Sequence, residues 1–229
     1  MAFSKISAFV LLLFLMGATV QAQTETRTPG KFTGVESDGS WDVYITIGSK
    51  DEVRLESKGF DLNKVITVVK DGKLEIRLER GNHRDVNFDA YVTVRELENI
   101  GSGGSGNMIV ESDINSDKIN IGQSGSGIMR LKMINASSLN VGMSGSGNMY
   151  VAGGNVDTVN IGQSGSGDFD GLDLIATSVK IGKSGSGTTS IGASENLTVG
   201  SSGSGNVYYK GNPNNKKIAS SGSSKVIKR

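Results

Sequence analysis

The chain has 229 residues, with 24 Lys and Arg against 23 Asp and Glu, and no cysteine, which excludes disulfides, thiol nucleophiles, thiolate metal sites and the lipid-bearing cysteine of a bacterial lipoprotein. Lys and Arg are interleaved with acids along the chain, and without a clustered cationic face to displace counterions nucleic acid is not an expected partner. Glycine is abundant at 33 residues and proline scarce at 2, which excludes a proline-rich linker and points to repeated tight turns.

Residues 1–22 read as a secretory signal: Lys5 gives a positive start, Phe9 to Met16 an apolar run, and Val20-Gln21-Ala22 a small-residue cleavage site. The run is shorter than the roughly 20 residues a spanning helix needs, and no later segment is apolar enough to span. The mature chain is therefore expected to begin at Gln23, to have no transmembrane segment and, with Lys5 gone, to carry no net charge. An exported protein of periplasmic, outer-surface or extracellular destination follows.

From Phe32 to Leu97 the chain reads as strands. Val43, Ile45 and Ile47 alternate on one face, Glu52 to Glu56 makes a short charged strand, and Val86 to Val94 alternates again. Val65 to Val69 and Leu74 to Leu78 flank Asp71-Gly72, a pair suited to a tight hairpin turn because both positions tolerate positive φ. No amphipathic helix is expected after the signal.

The rest of the chain repeats. The segments starting at Ile100, Ile121, Val141, Ile161, Ile181, Val199 and Ile218 carry versions of IGxSGSG, 18 to 21 residues apart. Each period places two alternating strand segments around a glycine-rich corner. Three columns are expected inside. The first is Glu98, Ile119, Leu139, Val159, Val179, Leu197 and Lys216; the second holds the seven residues that open the motif; the third is Met108, Met129, Met149, Phe169, Thr189, Val207 and Val226. One coil cannot bury its own apolar face, so coils must stack through parallel pairing, at about 4.8 Å each, into a repeat rod about 30 Å long. The fold class is all-β, a parallel β-helix (β-solenoid) with a β-rich N-terminal portion. One domain over 23–229 is expected, with a leading strand region at 23–97 and the coils at 98–229. Stacked serine hydroxyls are expected to bond along the rod, and the last copy, with Ser224 in place of glycine and Lys216 and Lys228 at apolar positions, reads as a polar cap.

The recurrent IGxSGSG, the hairpin at Asp71-Gly72 and the segment Val207-Tyr208-Tyr209-Lys210-Gly211-Asn212-Pro213 together resemble the bacterial family named "putative auto-transporter adhesin, head GIN domain", over nearly the whole chain from Phe32 onward. The resemblance implies an exported, right-handed β-helix with an adhesive role, and brings no catalytic residues with it. No membrane-barrel segment accompanies it here, which argues against an autotransporter mechanism.

Chemistry is sparse. The SGSG corners lack the Lys-Ser/Thr and following helix of a phosphate loop, and aspartates do not recur as repeat-bound calcium requires, so no cofactor and no metal are expected. Asp168, Asp170 and Asp173 are the best carboxylate cluster for a rival reading, a polysaccharide lyase or hydrolase, but nothing adjacent tunes them. His83 lies in a polar loop-like run. The outward column Ile109, Arg130, Tyr150, Asp170, Ser190, Tyr208, Ile227 offers Arg130, Tyr150, Asp170 and Tyr208 as a surface for a polysaccharide or a surface protein. Asn99, Asn120, Asn140 and Asn160 form another outward column, expected to bond to itself. Asn135 and Asn196 open Asn-x-Ser/Thr triplets, which carry little weight in a bacterial protein. The function expected is a non-enzymatic adhesin or binding surface, with a ligand-free envelope scaffold as a further alternative.

Overall fold

The computed structural model describes residues 23–229; the expected secretory signal lies outside them. The strands are β1 (Gln23–Arg27), β2 (Gly34–Ser37), β3 (Val43–Ile47), β4 (Glu52–Ser57), β5 (Val65–Lys70), β6 (Lys73–Leu78), β7 (Phe88–Val94), β8 (Asn99–Ser102), β9 (Met108–Val110) and β10 (Ile114–Gln123). Four long strands that run through corners follow: β11 (Ile128–Gly145), β12 (Asn148–Gly165), β13 (Phe169–Gly185) and β14 (Thr189–Gly203), with register shifts between β13 and β14 at Gly171/Ile175 and Ala176/Ser178. The series ends with β15 (Val207–Lys210), β16 (Asn215–Ser220) and β17 (Val226–Lys228). One short 3-10 turn, Leu62–Lys64, interrupts the strands and is capped by the Asp61 carboxylate on the Asn63 amide.

The expected columns are the actual stacking registers. Ile100, Ile121, Val141, Ile161, Ile181, Val199 and Ile218 pair in succession, as do Met108, Met129, Met149, Phe169, Thr189, Val207 and Val226. The chain is a parallel β-solenoid whose core is a stack of these side chains. The first column differs at its start: Ile119 to Leu197 are buried, but Glu98 is exposed and the neighbouring Leu97 is buried in its place.

The leading portion does not merely precede the repeat; it supplies parallel layers of the same solenoid. Val35 of β2 lies between Leu74 of β6 and Ile100 of β8, and Val43 of β3 lies between Ala90 of β7 and Met108 of β9. The spatial order of layers is therefore β6/β7, β2/β3, β8/β9, and the chain passes over the β2/β3 layer on its way from β7 to β8. The rod is longer than its seven motif copies account for. The Asp71-Gly72 turn makes this order feasible: both residues have positive φ, 49° and 75°, and they fold β5 antiparallel onto β6.

Antiparallel strands close this end. β4 pairs with β7, and β1 covers β4. Trp41 stacks on Phe88 at 4.7 Å and Phe60 on Phe88 at 5.9 Å, filling the end of the core. The other end is open: all six residues of β16 are exposed, Ile218 at 47%. Here the even mixing of charges expected along the chain fails, because Lys210, Lys216, Lys217, Lys225, Lys228 and Arg229 gather on the last coil with no acidic residue after Glu195.

Candidate functional site: an aromatic and cationic wall

The SGSG corners are accounted for by stacking alone. A Cβ on the last glycine of the motif would lie 2.0 Å from the preceding coil's carbonyl oxygen at Gly127, 1.9 Å at Gly167, and 2.0 Å at Gly187 and Gly205. The first corner glycine has φ between 104° and 114° at Gly145, Gly165, Gly185 and Gly203, a region open to glycine. The corner amides are consumed between coils: Ser166 N–H donates to the Gly145 carbonyl at 2.9 Å, Ser186 to Gly165 at 3.0 Å and Ser204 to Gly185 at 3.1 Å. Corner backbone ties the coils together; the serine hydroxyls expected to bond along the rod do so at the last corner, where Ser201 and Ser224 lie 2.6 Å apart and Ser224 Oγ donates to the Gly205 carbonyl at 2.8 Å. The glycine before the corner is different. A Cβ on Gly122 or Gly182 meets nothing within 4 Å, so these glycines pave a shallow trough between the outward Asn column and the exposed Ser124, Ser144, Ser164 and Ser184.

The variable x of IGxSGSG faces inward. Ser102, Gln123, Met143, Gln163, Lys183 and Ser201 stack in one buried column, because the alternation that buries Ile119 and Ile121 continues to 123. Polar members are held by corner carbonyls: Gln123 Nε2 donates to Gly127 O at 2.6 Å, Gln163 does the same to Gly167, and Lys183 Nζ donates to Gly205 O at 3.0 Å. Burial pushes the Lys183 ammonium below the usual lysine range, with the Asp168 charge working the other way.

The residue after the motif is a bracket. Asn148 Oδ1 accepts the Asp168 amide at 2.9 Å, Asp168 Oδ1 accepts the Thr188 amide at 2.6 Å, and Asn206 Oδ1 accepts the Lys225 amide at 3.1 Å. Asp168, at the centre of the expected carboxylate cluster, is thus engaged in holding coils together. Asp173 is tied to Lys210 at 2.7 Å. Replacing Asp168 with alanine is expected to cost about 1 kcal/mol, while Asp168→Asn, which keeps the acceptor, stays within a few tenths of the original stability. Urea denaturation of the two variants checks this. The Asn column behaves as expected, with Asn120, Asn140 and Asn160 each donating to the previous member at 3.1 Å.

The outward column after the corner is longer than the repeat revealed. Strand register aligns Arg54, Tyr91, Tyr44, Ile109, Arg130, Tyr150, Asp170, Ser190, Tyr208 and Ile227 along one face. The Arg54 guanidinium lies 4.1 Å from the Tyr91 ring centre, Tyr91 stacks on Tyr44 at 5.0 Å, and Arg130 lies 4.7 Å from the Tyr150 ring centre. Burial, with Asp42 and Asp89 nearby, pushes the Tyr44 phenol up, so it stays a hydrogen-bond donor. Arg130, Tyr150 and Asp170 line one groove of about 530 Å3 together with Asp173 and Arg229. A second groove of about 270 Å3, lined by Asp42, Tyr44, Asn107, Ile109 and Arg130, continues from it on the other side of Arg130. Tyr208 does not line either groove. It joins the wall through Arg229, whose guanidinium lies 3.9 Å from its ring centre, while Ser190 between them is buried.

Tyr44, Tyr91 and Arg54 escape the repeat alignment, although a signal is present. Val43-Tyr44-Ile45 and Ala90-Tyr91-Val92 have the same in-out-in pattern as Met129-Arg130-Leu131 and Met149-Tyr150-Val151. His83 plays no part in the wall; its Nε2 sits 2.9 Å from the Glu79 carbonyl and its ring meets Phe60 edge-on. Among the described residues no three acidic or His side chains are grouped to hold a metal ion, and no helix is long and apolar enough to cross a membrane.

Solved structures share this architecture. The chain is similar to a putative adhesin from Bacteroides fragilis, with TM-score 0.82 and 19% identity over 91% of this chain and 97% of that one. It is similar to a putative adhesin from Parabacteroides merdae, with TM-score 0.71 and 19% identity over 92% and 97%. A putative lipid binding protein from Parabacteroides distasonis is also similar, with TM-score 0.68 and 20% identity over 92% and 98%. At these identities the likeness establishes the fold. No curated protein matches the chain. Residues 31–213 match the family described as "Putative auto-transporter adhesin, head GIN domain", and with most of its length inside that match the chain belongs to this family.

Proposed function

We propose that the protein is an exported, non-enzymatic envelope or extracellular adhesin, a single solenoid domain over 23–229 that binds extended glycan chains along the wall from Arg54 to Asp170. The carrying observation is the column of stacked tyrosines and guanidinium groups beside two grooves that share Arg130. The stacked rings offer apolar edges and phenol groups to a sugar chain, while Asp42, Asn107, Asp170 and the arginines offer donors and acceptors to hydroxyls. Repetition along the rod suits a repeating polymer better than a compact ligand. Export is supported by the secretory signal and the family. The non-enzymatic reading is supported by the engagement of Asp168 and Asp173 in coil-to-coil contacts.

The test is retention on immobilised polysaccharides. The double variant Tyr44→Ala/Tyr91→Ala and the single variant Tyr150→Ala are expected to lose affinity by about tenfold each, in protein that stays folded but melts lower for the lost stacking and cation–π contacts. Tyr208→Ala, whose ring lines neither groove and touches the first only through Arg229, should retain most of the binding. Unchanged retention by the Tyr44/Tyr91 variant would remove the wall from the binding site.

A further inference from the structure

The strongest charge feature of the molecule lies at the open end of the rod. Residues 23–195 carry a net charge of −6 and residues 196–229 a net charge of +6, all of it from five lysines and one arginine, each exposed. Residues 23–229, neutral in total, thus form a rod with a cationic end. Lys210 pairs with Asp173, Lys228 with the Asn212 side chain, and Arg229 lies on Tyr208. Lys216, Lys217 and Lys225 have no carboxylate within ion-pair distance among the described residues.

The end is also amphipathic. Ile218 continues the buried column that runs from Ile100, but no coil covers it, and Val226, the last member of the other inward column, is half-buried. An apolar centre therefore sits within a rim of ammonium groups. Two features bear on what meets it. Lys216 occupies the register position of Leu197 and Val179, and a charge at an inward position opposes the stacking of another strand, which argues against a second copy of the chain. The cations also crowd a blunt end and do not line a track, so a plane of phosphates satisfies them together where a linear polyanion meets only some.

We propose that this last coil docks the protein on an anionic lipid bilayer, with Lys216, Lys217 and Lys225 against lipid phosphates and Ile218 at the interface, so that the rod stands off the surface with its wall exposed. Such attraction falls off within a Debye length and weakens with salt. The test is co-sedimentation of residues 23–229 with vesicles of phosphatidylcholine alone and of phosphatidylcholine mixed with phosphatidylglycerol. Binding is expected to the mixed vesicles only and to be released by salt. Each lysine replaced should weaken it about fivefold, so that Lys216→Gln/Lys217→Gln/Lys225→Gln binds on the order of a hundredfold less. Lys118→Gln/Lys132→Gln, on the body of the rod, should bind as the parent does. The salt response of the unaltered protein decides the matter even if the triple variant misfolds. Absence of binding to the mixed vesicles, binding indifferent to salt, or capture by soluble dextran sulfate or by a second copy in place of vesicles would overturn the proposal.

Discussion

Gly167→Ala is expected to destabilise the protein by about 3 kcal/mol or more, whereas Gly162→Ala, five residues earlier in the same motif copy, should be neutral or stabilising by up to about 1 kcal/mol. The difference lies in what an added methyl group meets. At 167 it would sit 1.9 Å from the Gly147 carbonyl oxygen, and that carbonyl belongs to the corner of the adjoining coil. The contact is with backbone, so relief requires the coils to separate where Gly167 N–H and Gly145 O hold them. At 162 the nearest atom is 3.9 Å away, the strand is extended, and alanine lowers the entropy of the unfolded chain without a contact to lose. Paired urea denaturation of the two variants reads the effect. Equal losses would mean that the motif's glycines share one role, contrary to the stacking geometry described above.

Lys183→Met is expected to raise stability by about 1 to 3 kcal/mol at neutral pH. Lys183 is 4% exposed and lies in a column where Met143 occupies the equivalent place two coils away. Its ammonium is met by carbonyl groups but by no buried carboxylate, so its desolvation is only partly offset, and replacing such a charge by an apolar side chain of similar length favours the folded state. The Gly205 carbonyl keeps a partner in Ser224 Oγ at 2.8 Å when the lysine is removed. The pH dependence follows from the direction of the shift. Because the folded pKa is depressed, the folded state gives up its proton before the unfolded state does, and stability rises with pH between the lowered folded pKa and the unfolded value of about 10.4. Below that window the full cost is present; above it the cost is gone. The methionine variant should lack this rise, so the stability difference between the two proteins narrows as pH climbs through the window. A difference independent of pH would show that Lys183 is not held as a depressed, buried amine.

The repeat was legible because its period is short and its side-chain alternation is strict. Val159, Ile161 and Phe169 are placed correctly by counting two residues along a strand and one motif along the rod. The same counting, carried one step further, would have put Gln163 and Lys183 inside, but polar side chains at those positions conceal the alternation. Carbonyl groups at the corners make their burial tolerable, and no pattern in the sequence announces that. The leading portion was legible as strands and as a hairpin, but not as layers of the solenoid. Its β2/β3 layer is separated in sequence from its neighbours on both sides and lies between a later hairpin strand and the first motif copy. Long-range pairing of this kind leaves only a faint trace, the in-out-in triplets around Tyr44 and Tyr91. The wall was accordingly read as four residues, Arg130, Tyr150, Asp170 and Tyr208, when its densest stacking involves Tyr44, Tyr91 and Arg54. Asp168 was legible as a carboxylate next to others. Its engagement by the Thr188 amide depends on the exact height of one coil above another.

The most direct test of the adhesin reading is to pass residues 23–229 over bacterial and host polysaccharides while measuring retention and newly formed sugar ends in the same samples. The wall described here predicts retention of at least one extended glycan with no new ends, lost on removal of Tyr44 and Tyr91. New ends that vanish with Asp170→Asn in a folded protein would contradict it, and would place a glycan-cleaving site on the same face.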